Sequence, residues 1–200
     1  MYCPYFSNQY NTTIGADFGQ PLFLEIFMKR VVFLYEKIFE SIMKENLLIL
    51  RSLWEELGYE VTEMVVEEQI SPDIYMNELV RLKEDFLITF AMAGFSWRGL
   101  MGQVRFNTLA TMQIHILIGN MPYYDFYLHK EYGIQSFFAT DCDEIFVKWK
   151  ERYPKLPFMD KFPTLYMAEQ LTEVEKRANR ISLQEMLLRI FAFIEKPVVL

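Results

Sequence analysis

The chain contains few of the side chains that build metal sites. Its 200 residues include two cysteines and two histidines. Cys3 and Cys142 lie far apart and match no zinc-ligand spacing, and His115 and His129 provide little material for such a site. We therefore expect no metal, and the low cysteine content favours a reducing, cytoplasmic setting.

Glycine is scarce where nucleotide-binding folds require it. The chain has eight glycines, and the first predicted strand-to-helix turn, residues 35–40 (YEKIFE), contains none. Backbone amides therefore cannot approach a pyrophosphate closely at that turn. No glycine-rich loop ending in Lys-Ser or Lys-Thr occurs in the sequence. These absences exclude NAD, FAD and P-loop nucleotide sites, and we expect no cofactor.

Excess positive charge and long apolar runs are also missing. The formal net charge is -7, so binding to nucleic acid through phosphate neutralisation is excluded. The longest nearly apolar stretch, residues 86–95 (FLITFAMAGF), is about half of the ~20 residues that a bilayer crossing needs. The first basic residue is Lys29, so the charged start of a signal peptide is absent. We expect no transmembrane segment and no nucleic-acid partner.

Hydrophobic and aromatic side chains are abundant. Hydrophobic residues make up 52% and aromatic residues 16% of the chain, which is typical of a folded domain with a large core or an apolar face that needs a partner. Residues 1–27 carry seven aromatic residues and no Lys or Arg, and we interpret them as an N-terminal arm with a short apolar strand or helical turn at 22–27. Residues 28–200 form the predicted single Rossmann-like domain.

Strand-like and helix-like stretches alternate from residue 28 onward. The predicted strands are 30–35, 59–66, 85–90, 114–118 and 137–140. The predicted helices are 38–57, 72–83, 100–111, 143–152, 168–179 and 182–194. This alternation indicates βαβ units with right-handed crossovers. The fold class is therefore α/β: an open, mainly parallel Rossmann-like sheet flanked by helices, with an N-terminal arm and C-terminal helices.

The expected site lies outside the carboxyl ends of the strands, where open α/β sheets bind ligands. That rule selects the loops that follow the first, third, fourth and fifth strands. The candidate substrate-binding residues are Tyr35, Glu36, Gly94, Phe95, Asn120, Tyr123, Tyr124, Asp125 and Asp141. No catalytic residue is assigned.

Several of the candidate residues allow two interpretations, one as ligand contacts and one as structural residues. Tyr123 and Tyr124 could stack on a sugar that Asp125 hydrogen-bonds, or they pack the turn while Asp125 caps the next helix. Asp141 and Asp143 could present paired carboxylates, or they cap the helix that follows them.

The remaining titratable candidates are read more simply. Glu36 faces either the cleft or solvent. His115, inside an apolar strand, is interpreted as a satisfied core or interface histidine. Cys142 has no histidine near it in sequence, which disfavours a nucleophile.

Four segments carry a family resemblance. They are residues 28–64 (MKRVVFLYEKIFESIMKENLLILRSLWEELGYEVTEM), 84–96 (EDFLITFAMAGFS), 112–128 (MQIHILIGNMPYYDFYL) and 137–158 (FFATDCDEIFVKWKERYPKLPF). Their order and spacing resemble the N-terminal domain of two-domain (GT-B) bacterial glycosyltransferases of the spore-maturation-like group. Where that group often has Asp-His before a proline, this chain has Asn120-Met121.

The resemblance implies an acceptor-side domain that takes part in glycan assembly. GT-B enzymes hold the nucleotide-sugar donor mainly in their C-terminal domain, so the implied partners are a glycan acceptor and a donor-binding C-terminal domain or partner chain. The isolated chain is then expected to be inactive.

Two other functions stay open at this point. One is a non-catalytic interaction domain, a homo-oligomer that associates through the aromatic arm and the apolar C-terminal helix. Its observations are the surplus of aromatic and Met residues and a helix that is apolar on more than one face. The other is a small enzyme that uses Asp141 and Asp143.

Overall fold

A computed structural model describes residues 29–98, 105–161 and 164–194, and in them one parallel sheet carries helices on both faces. The strands are β1 (Lys29–Glu36), β2 (Tyr59–Val66), β3 (Phe86–Phe90), β4 (Met112–Leu117), β5 (Ser136–Thr140) and β6 (Met159–Lys161). The helices are α1 (Glu40–Glu56), α2 (Pro72–Leu82), α3 (Tyr124–Leu128), α4 (Asp143–Arg152) and α5 (Glu173–Ile194). Short 3₁₀ turns occupy Lys37–Phe39 and Arg105–Thr108.

The sheet confirms the predicted fold class. The strand order is β2-β1-β3-β4-β5-β6, and every neighbouring pair of these strands is parallel. The central strands are buried along most of their length because helices cover both faces. The protein therefore has an open α/β architecture with a Rossmann-like, doubly covered sheet.

Alternate residues of β1 feed two separate cores. Val31 and Phe33 point to the face that α1 and α5 cover, while Val32 and Leu34 point to the face that α2, α3 and α4 cover. This period of two fixes which side chains of each strand can approach a given helix.

Most predicted elements are confirmed with small shifts at their ends. The Ser71-Pro72 signal does start α2, because Ser71 Oγ accepts a hydrogen bond from the Asp73 amide at 3.3 Å. The strand β6 is an addition, since the predicted strands end with 137–140. In the region predicted as the helix 100–111, the described part contains only the 3₁₀ turn Arg105–Thr108.

The two predicted C-terminal helices are one helix, α5, and its apolar side chains have a different role from the expected one. Met186, Leu187 and Ile190 are buried in the chain's own core, on the face shared with α1. Phe191 packs against Trp54 at 5.6 Å between ring centroids. The expectation that this set faces another subunit is therefore wrong for these residues.

The predicted arm lies outside the described residues, as do positions 100–104 of the predicted helix 100–111. Among the described helices, none combines the length and the apolar character needed to cross a membrane.

Candidate functional site

The strand order places a topological switch point between β1 and β3. The chain leaves β1 towards β2 on one side and leaves β3 towards β4 on the other, so the two connections diverge. In open α/β sheets such a divergence marks the expected ligand crevice, above the carboxyl ends of the strands. Three segments border this crevice: Glu36 at the end of β1, residues 91–98 after β3, and residues 118–123 after β4. We call these three segments the rim.

The loop after β3 has an unusual backbone. Ala91, Met92 and Gly94 have φ angles of 49°, 63° and 74°. Left-handed geometry costs a non-glycine residue about 1 kcal/mol or more, so surrounding contacts must hold this loop. Two turn hydrogen bonds contribute, from the Phe95 amide to the Met92 carbonyl and from the Trp97 amide to the Gly94 carbonyl, each 3.0 Å long.

Gly94 is required by close packing as well as by its φ angle. A Cβ atom at this position would lie 2.6 Å from Phe106 Cζ and 3.2 Å from side-chain atoms of Leu34 and Trp97. Phe95, predicted as a ligand contact, is fully buried among aromatic rings. Gly94 and Phe95 therefore shape the rim from below and do not present side chains to the crevice.

Tyr123 and Tyr124 are adjacent in sequence but have different roles. Tyr124 is buried, and its hydroxyl donates to the Ile118 carbonyl (3.1 Å) and accepts from the Ile118 amide (3.0 Å), which closes the turn after β4. Tyr123 is 37% exposed, and its hydroxyl donates to the Ala91 carbonyl at 3.0 Å. Tyr123 thus joins two rim segments and keeps part of its ring open to solvent.

Asn120 of the rim and Asp125, just beyond it, make polar contacts with α4 and the residue after it. Asn120 Nδ2 donates to Glu144 Oε2 at 3.4 Å. Asp125 is bound by Arg152 and Tyr153. The N-cap of α3 is Tyr123, so the reading of Asp125 as a helix cap is wrong. Asp125 instead ties α3 to α4.

Besides burial, the charge of Glu36 contributes to the raised pKa of Tyr123. Burial, followed by the charge of Glu68, raises the pKa of Glu36. Burial raises the pKa of Tyr123 to about 12, with the charge of Glu36 and then Tyr127 as further causes. Among the described residues, Glu36 makes no ion pair. The rim therefore combines a partly buried, unpaired carboxyl group with a fixed phenol ring.

Tyr35 lies away from the rim, although it immediately precedes Glu36. Its side chain is buried on the α1 face, and its hydroxyl donates to Glu63 Oε2 at 2.7 Å. Arg51 of α1 binds the same carboxylate through Nε at 3.1 Å. Tyr35 thus belongs to a contact between β1, β2 and α1, as the alternation of a strand requires.

The two carboxylates near α4 are separately engaged. Asp141 Oδ1 accepts a hydrogen bond from the Gly119 amide at 2.8 Å, which links the ends of β4 and β5. Asp143 pairs with Lys161. The N-cap of α4 is Cys142, which makes no side-chain cap bond, so the reading of these aspartates as caps is wrong. Asp143 does lie in the first turn, where the helix dipole favours its charge.

Sequence reasoning missed Tyr127, Phe126 and Arg98. The ring of Tyr127 lies 6.2 Å from that of Tyr123, and the Arg98 guanidinium lies 5.2 Å from the Tyr127 ring centroid and 5.8 Å from that of Phe126. The spacing of four residues between Tyr123 and Tyr127 was an available signal, since such residues are neighbours on a helix. Arg98 carried no local signal because it approaches α3 from a distant loop.

His115 is a core residue, as predicted, but it is not satisfied as expected, because its Nε2 has no hydrogen-bond partner among the described residues. It is fully buried, and its Nδ1 lies 2.8 Å from Thr89 Oγ1. Burial lowers the pKa of His115 to about 3, so the imidazole is neutral at physiological pH. Across the described part of the chain, no group of three or more His, Cys, Asp or Glu residues is arranged to hold a metal ion.

Comparison with known proteins shows a likeness in structure and none in sequence. No protein-family model and no curated protein matches the chain. A short-chain flavodoxin associated with a non-canonical PDU bacterial microcompartment is similar in structure, with 10% sequence identity and a TM-score of 0.36. The similarity covers 81% of this chain and 99% of the flavodoxin.

Proposed function

We propose that this domain is the acceptor-binding half of a glycosyltransferase-like protein of the bacterial cytoplasm. Its glycan acceptor binds at Glu36 and Tyr123 of the rim and at the neighbouring Tyr127 of α3. The observation that carries the proposal is a pair of neighbouring Tyr rings beside an unpaired carboxyl group at the switch point. The resemblance of residues 28–158 to GT-B N-terminal domains supports the same assignment.

The chemistry of the rim suits a saccharide. A tyrosine ring offers an apolar face for the C–H side of a sugar, and a carboxylate accepts hydrogen bonds from its hydroxyls. The hydroxyl of Tyr123 is already bound to the Ala91 carbonyl, so its ring is held in place before a ligand arrives. Prior fixation of a binding side chain reduces the entropy lost on binding.

The same rim is unsuited to binding a nucleoside diphosphate. The turn after β1, beginning Glu36-Lys37-Ile38, has no glycine, and the charges of Glu36 and Glu68 repel phosphate. The donor is therefore held by another domain or a partner chain. When that unit supplies the nucleotide-sugar donor, Glu36 accepts the proton of the acceptor hydroxyl. The acceptor oxygen then bonds to the anomeric carbon of the donor sugar as the nucleoside diphosphate leaves.

Replacing Tyr123 with alanine tests the proposal. We expect Tyr123→Ala to weaken saccharide binding at least about tenfold, because one stacking face and the tie to Ala91 are both lost. A panel of mono- and disaccharides titrated against the chain, followed by NMR chemical shifts, measures this. Tyr166→Ala is the matched control, since Tyr166 is 52% exposed and lies outside the rim.

Two results would contradict the proposal. One is the absence of saccharide binding by the unmodified chain, or equal binding by Tyr123→Ala. The other is complete sugar transfer from a nucleotide-sugar by the isolated chain, which would refute the assignment as half of an enzyme.

A second candidate function is self-association through α5. Val174, Ile181 and Leu188 are 79%, 51% and 63% exposed and recur every seven residues, so they lie along one stripe of the helix. A second copy of the chain could cover this stripe with its own. Association through the N-terminal arm belongs to the same alternative.

Ile181→Glu tests this alternative. We expect the substitution to abolish dimers, because it places a charge in the middle of the apolar stripe. Light scattering at several protein concentrations measures the mass, with Gln184→Glu as a control at an exposed position on the same helix. A monomer at every concentration before substitution would eliminate this candidate.

A further inference from the structure

Arg98 has a guanidinium group that no residue in the described part of the chain neutralises. Its Nη1 and Nη2 atoms are almost inaccessible to solvent, and neither has a hydrogen-bond partner within residues 29–98, 105–161 and 164–194. Arginine does not give up its proton in proteins, so burial cannot remove this charge. A buried cation without a partner is unfavourable, and an anion at the two nitrogens would reverse that cost.

The nearby sequence contains no carboxylate that could serve as this anion. Between Asp85 and Asp125 the chain has no Asp or Glu. The acidic residues of α3 and the loop that follows it are already paired, Asp125 with Arg152 and Glu131 with Lys155.

The surroundings of Arg98 hold its planar group in place. The guanidinium lies over the rings of Tyr127 and Phe126, at 5.2 Å and 5.8 Å from their centroids. Stacking of this kind is attractive but leaves the N–H donors at the edge of the plane unused. These donors form a fork that matches the two oxygens of a carboxylate or phosphate. Lys130 Nζ lies 4.5 Å from the Phe126 centroid and adds a second positive charge.

Arg98 is the last residue of the rim segment 91–98, and aromatic rings connect it with the rest of the rim. Tyr127 lies between Arg98 and Tyr123, whose ring is 6.2 Å from that of Tyr127, and Tyr123 in turn responds to the charge of Glu36. A row of side chains therefore runs from a carboxyl group, across two phenol rings, to a cation. A sugar ring on the tyrosines would direct an anionic substituent towards Arg98.

We propose that Arg98 is an oxyanion subsite and that the acceptor is an acidic saccharide, either a uronic acid or a sugar phosphate. The saccharide part of this inference rests on the proposed function. The oxyanion part rests on Arg98 alone, so the two can fail separately.

The test compares glucuronate, glucose 6-phosphate, glucose and inorganic phosphate by calorimetric titration at low ionic strength. The variants are Arg98→Met, which keeps an apolar side chain on Tyr127, and Arg98→Lys, which keeps the charge without the fork. Arg81→Met is the control, because Arg81 is exposed on α2. We expect both acidic sugars to bind the unmodified chain more tightly than glucose, and Arg98→Met to lose at least tenfold in affinity for them.

Arg98→Lys should retain part of this affinity. The tighter of the two acidic ligands identifies the group as carboxylate or phosphate. Thermal unfolding without ligand is the second readout, and Arg98→Met should match or exceed the unmodified chain because an uncompensated charge is removed.

Equal binding of glucose and the acidic sugars would overturn the inference, and so would full affinity of Arg98→Met for the acidic sugars. A Tm of Arg98→Met more than about 5 °C below that of the unmodified chain would also overturn it, because Arg98 would then be part of a structural ion pair. If inorganic phosphate binds as tightly as the acidic sugars and requires Arg98, the oxyanion subsite stands and the glycan assignment fails. If a neutral saccharide binds through Tyr123 and ignores Arg98, the glycan assignment stands and the subsite fails.

Discussion

Gly94→Ala is expected to lower the free energy of unfolding by about 2–4 kcal/mol, the sum of left-handed strain and overpacking. The residue has a φ of 74°, and its Cβ would lie 2.6 Å from Phe106 Cζ. Phe106 cannot retreat easily, because it is fully buried and packs edge-on against Phe95 at 5.7 Å and Trp97 at 5.5 Å between centroids. The methyl group must therefore displace the loop, the ring, or both.

Gly58→Ala separates the two costs. Gly58 has a φ of 84°, but a Cβ there would meet nothing within 4 Å. Urea unfolding of both variants should show a loss of about 1 kcal/mol for Gly58→Ala and a clearly larger loss for Gly94→Ala. The difference between the two losses in the free energy of unfolding measures the cost of the steric clash at Gly94. Equal losses for the two variants would show that the aromatic side chains around Gly94 move aside without a measurable cost.

A second substitution connects this loop to the rim. Phe106→Leu removes the atom that the new methyl group would meet, so it should recover part of the stability lost in Gly94→Ala. Because the loop also supplies the Ala91 carbonyl that holds Tyr123, recovery of saccharide binding should accompany recovery of stability.

The predicted strands were accurate where the local pattern and the tertiary environment agree. β1 and β3 are continuous apolar runs, and a doubly covered parallel strand requires such a run. β6 was missed because it has three residues, Met159–Lys161, between prolines at 157 and 163. Its pairing with β5 depends on tertiary contacts, and three residues are too few to show the periodicity of a strand.

The single helix α5 shows how tertiary contacts override a local signal. The sequence pattern predicts two helices, 168–179 and 182–194, with a break after Asn179. In the fold, Asn179 Nδ2 donates to Asn46 Oδ1 at 2.6 Å and its Oδ1 accepts from the Tyr166 amide at 2.9 Å. Asn46 lies more than a hundred residues away in the sequence. Because these partners use the hydrogen-bonding groups of the Asn179 side chain, that side chain does not compete for the backbone hydrogen bonds of the helix.

The sequence and the strand order suggest where on the sheet the candidate site lies, but they do not identify its side chains. The rule for open sheets selects the loops after β1, β3, β4 and β5, and ligand binding at these loops stays a prediction. The rule cannot tell which of Tyr123 and Tyr124 is exposed to a ligand. Successive side chains at the beginning of a helix point in different directions, and only the packed structure shows which ring is buried. Arg98 reaches α3 across the fold, so its place required the structure.

Glu84→Gln is expected to stabilise the protein at pH 8 by up to about 3 kcal/mol. Glu84 is 5% exposed, and burial raises its pKa from 4.5 to about 7, with a smaller contribution from the charge of Asp85. Thr111 Oγ1 donates to Glu84 Oε1 at 3.3 Å, while Oε2 has no partner within the described residues. The rise of this pKa from 4.5 to about 7 corresponds to about 3 kcal/mol of preference for the neutral form.

The sign of this effect follows from linkage. Since the folded protein holds the proton of Glu84 more tightly than the unfolded chain does, stability falls as the pH rises from about 4.5 to about 7, and the full penalty applies above that range. Glutamine carries no charge and can still accept the Thr111 bond through its Oε1, so the variant avoids the penalty at every pH. The two proteins should therefore be equally stable near pH 4 and diverge as the pH approaches 8.

Urea unfolding at unit steps from pH 4 to pH 8 measures the divergence, provided that m stays constant. Glu185→Gln removes the same charge from an exposed position of α5 and should give parallel curves with the unmodified chain. If Glu84→Gln is less stable than the unmodified chain at pH 8, the carboxylate is stabilised by its surroundings and the burial argument is wrong. The site tested lies at the amino ends of β3 and β4, so a gain in stability there should leave binding at the rim unchanged.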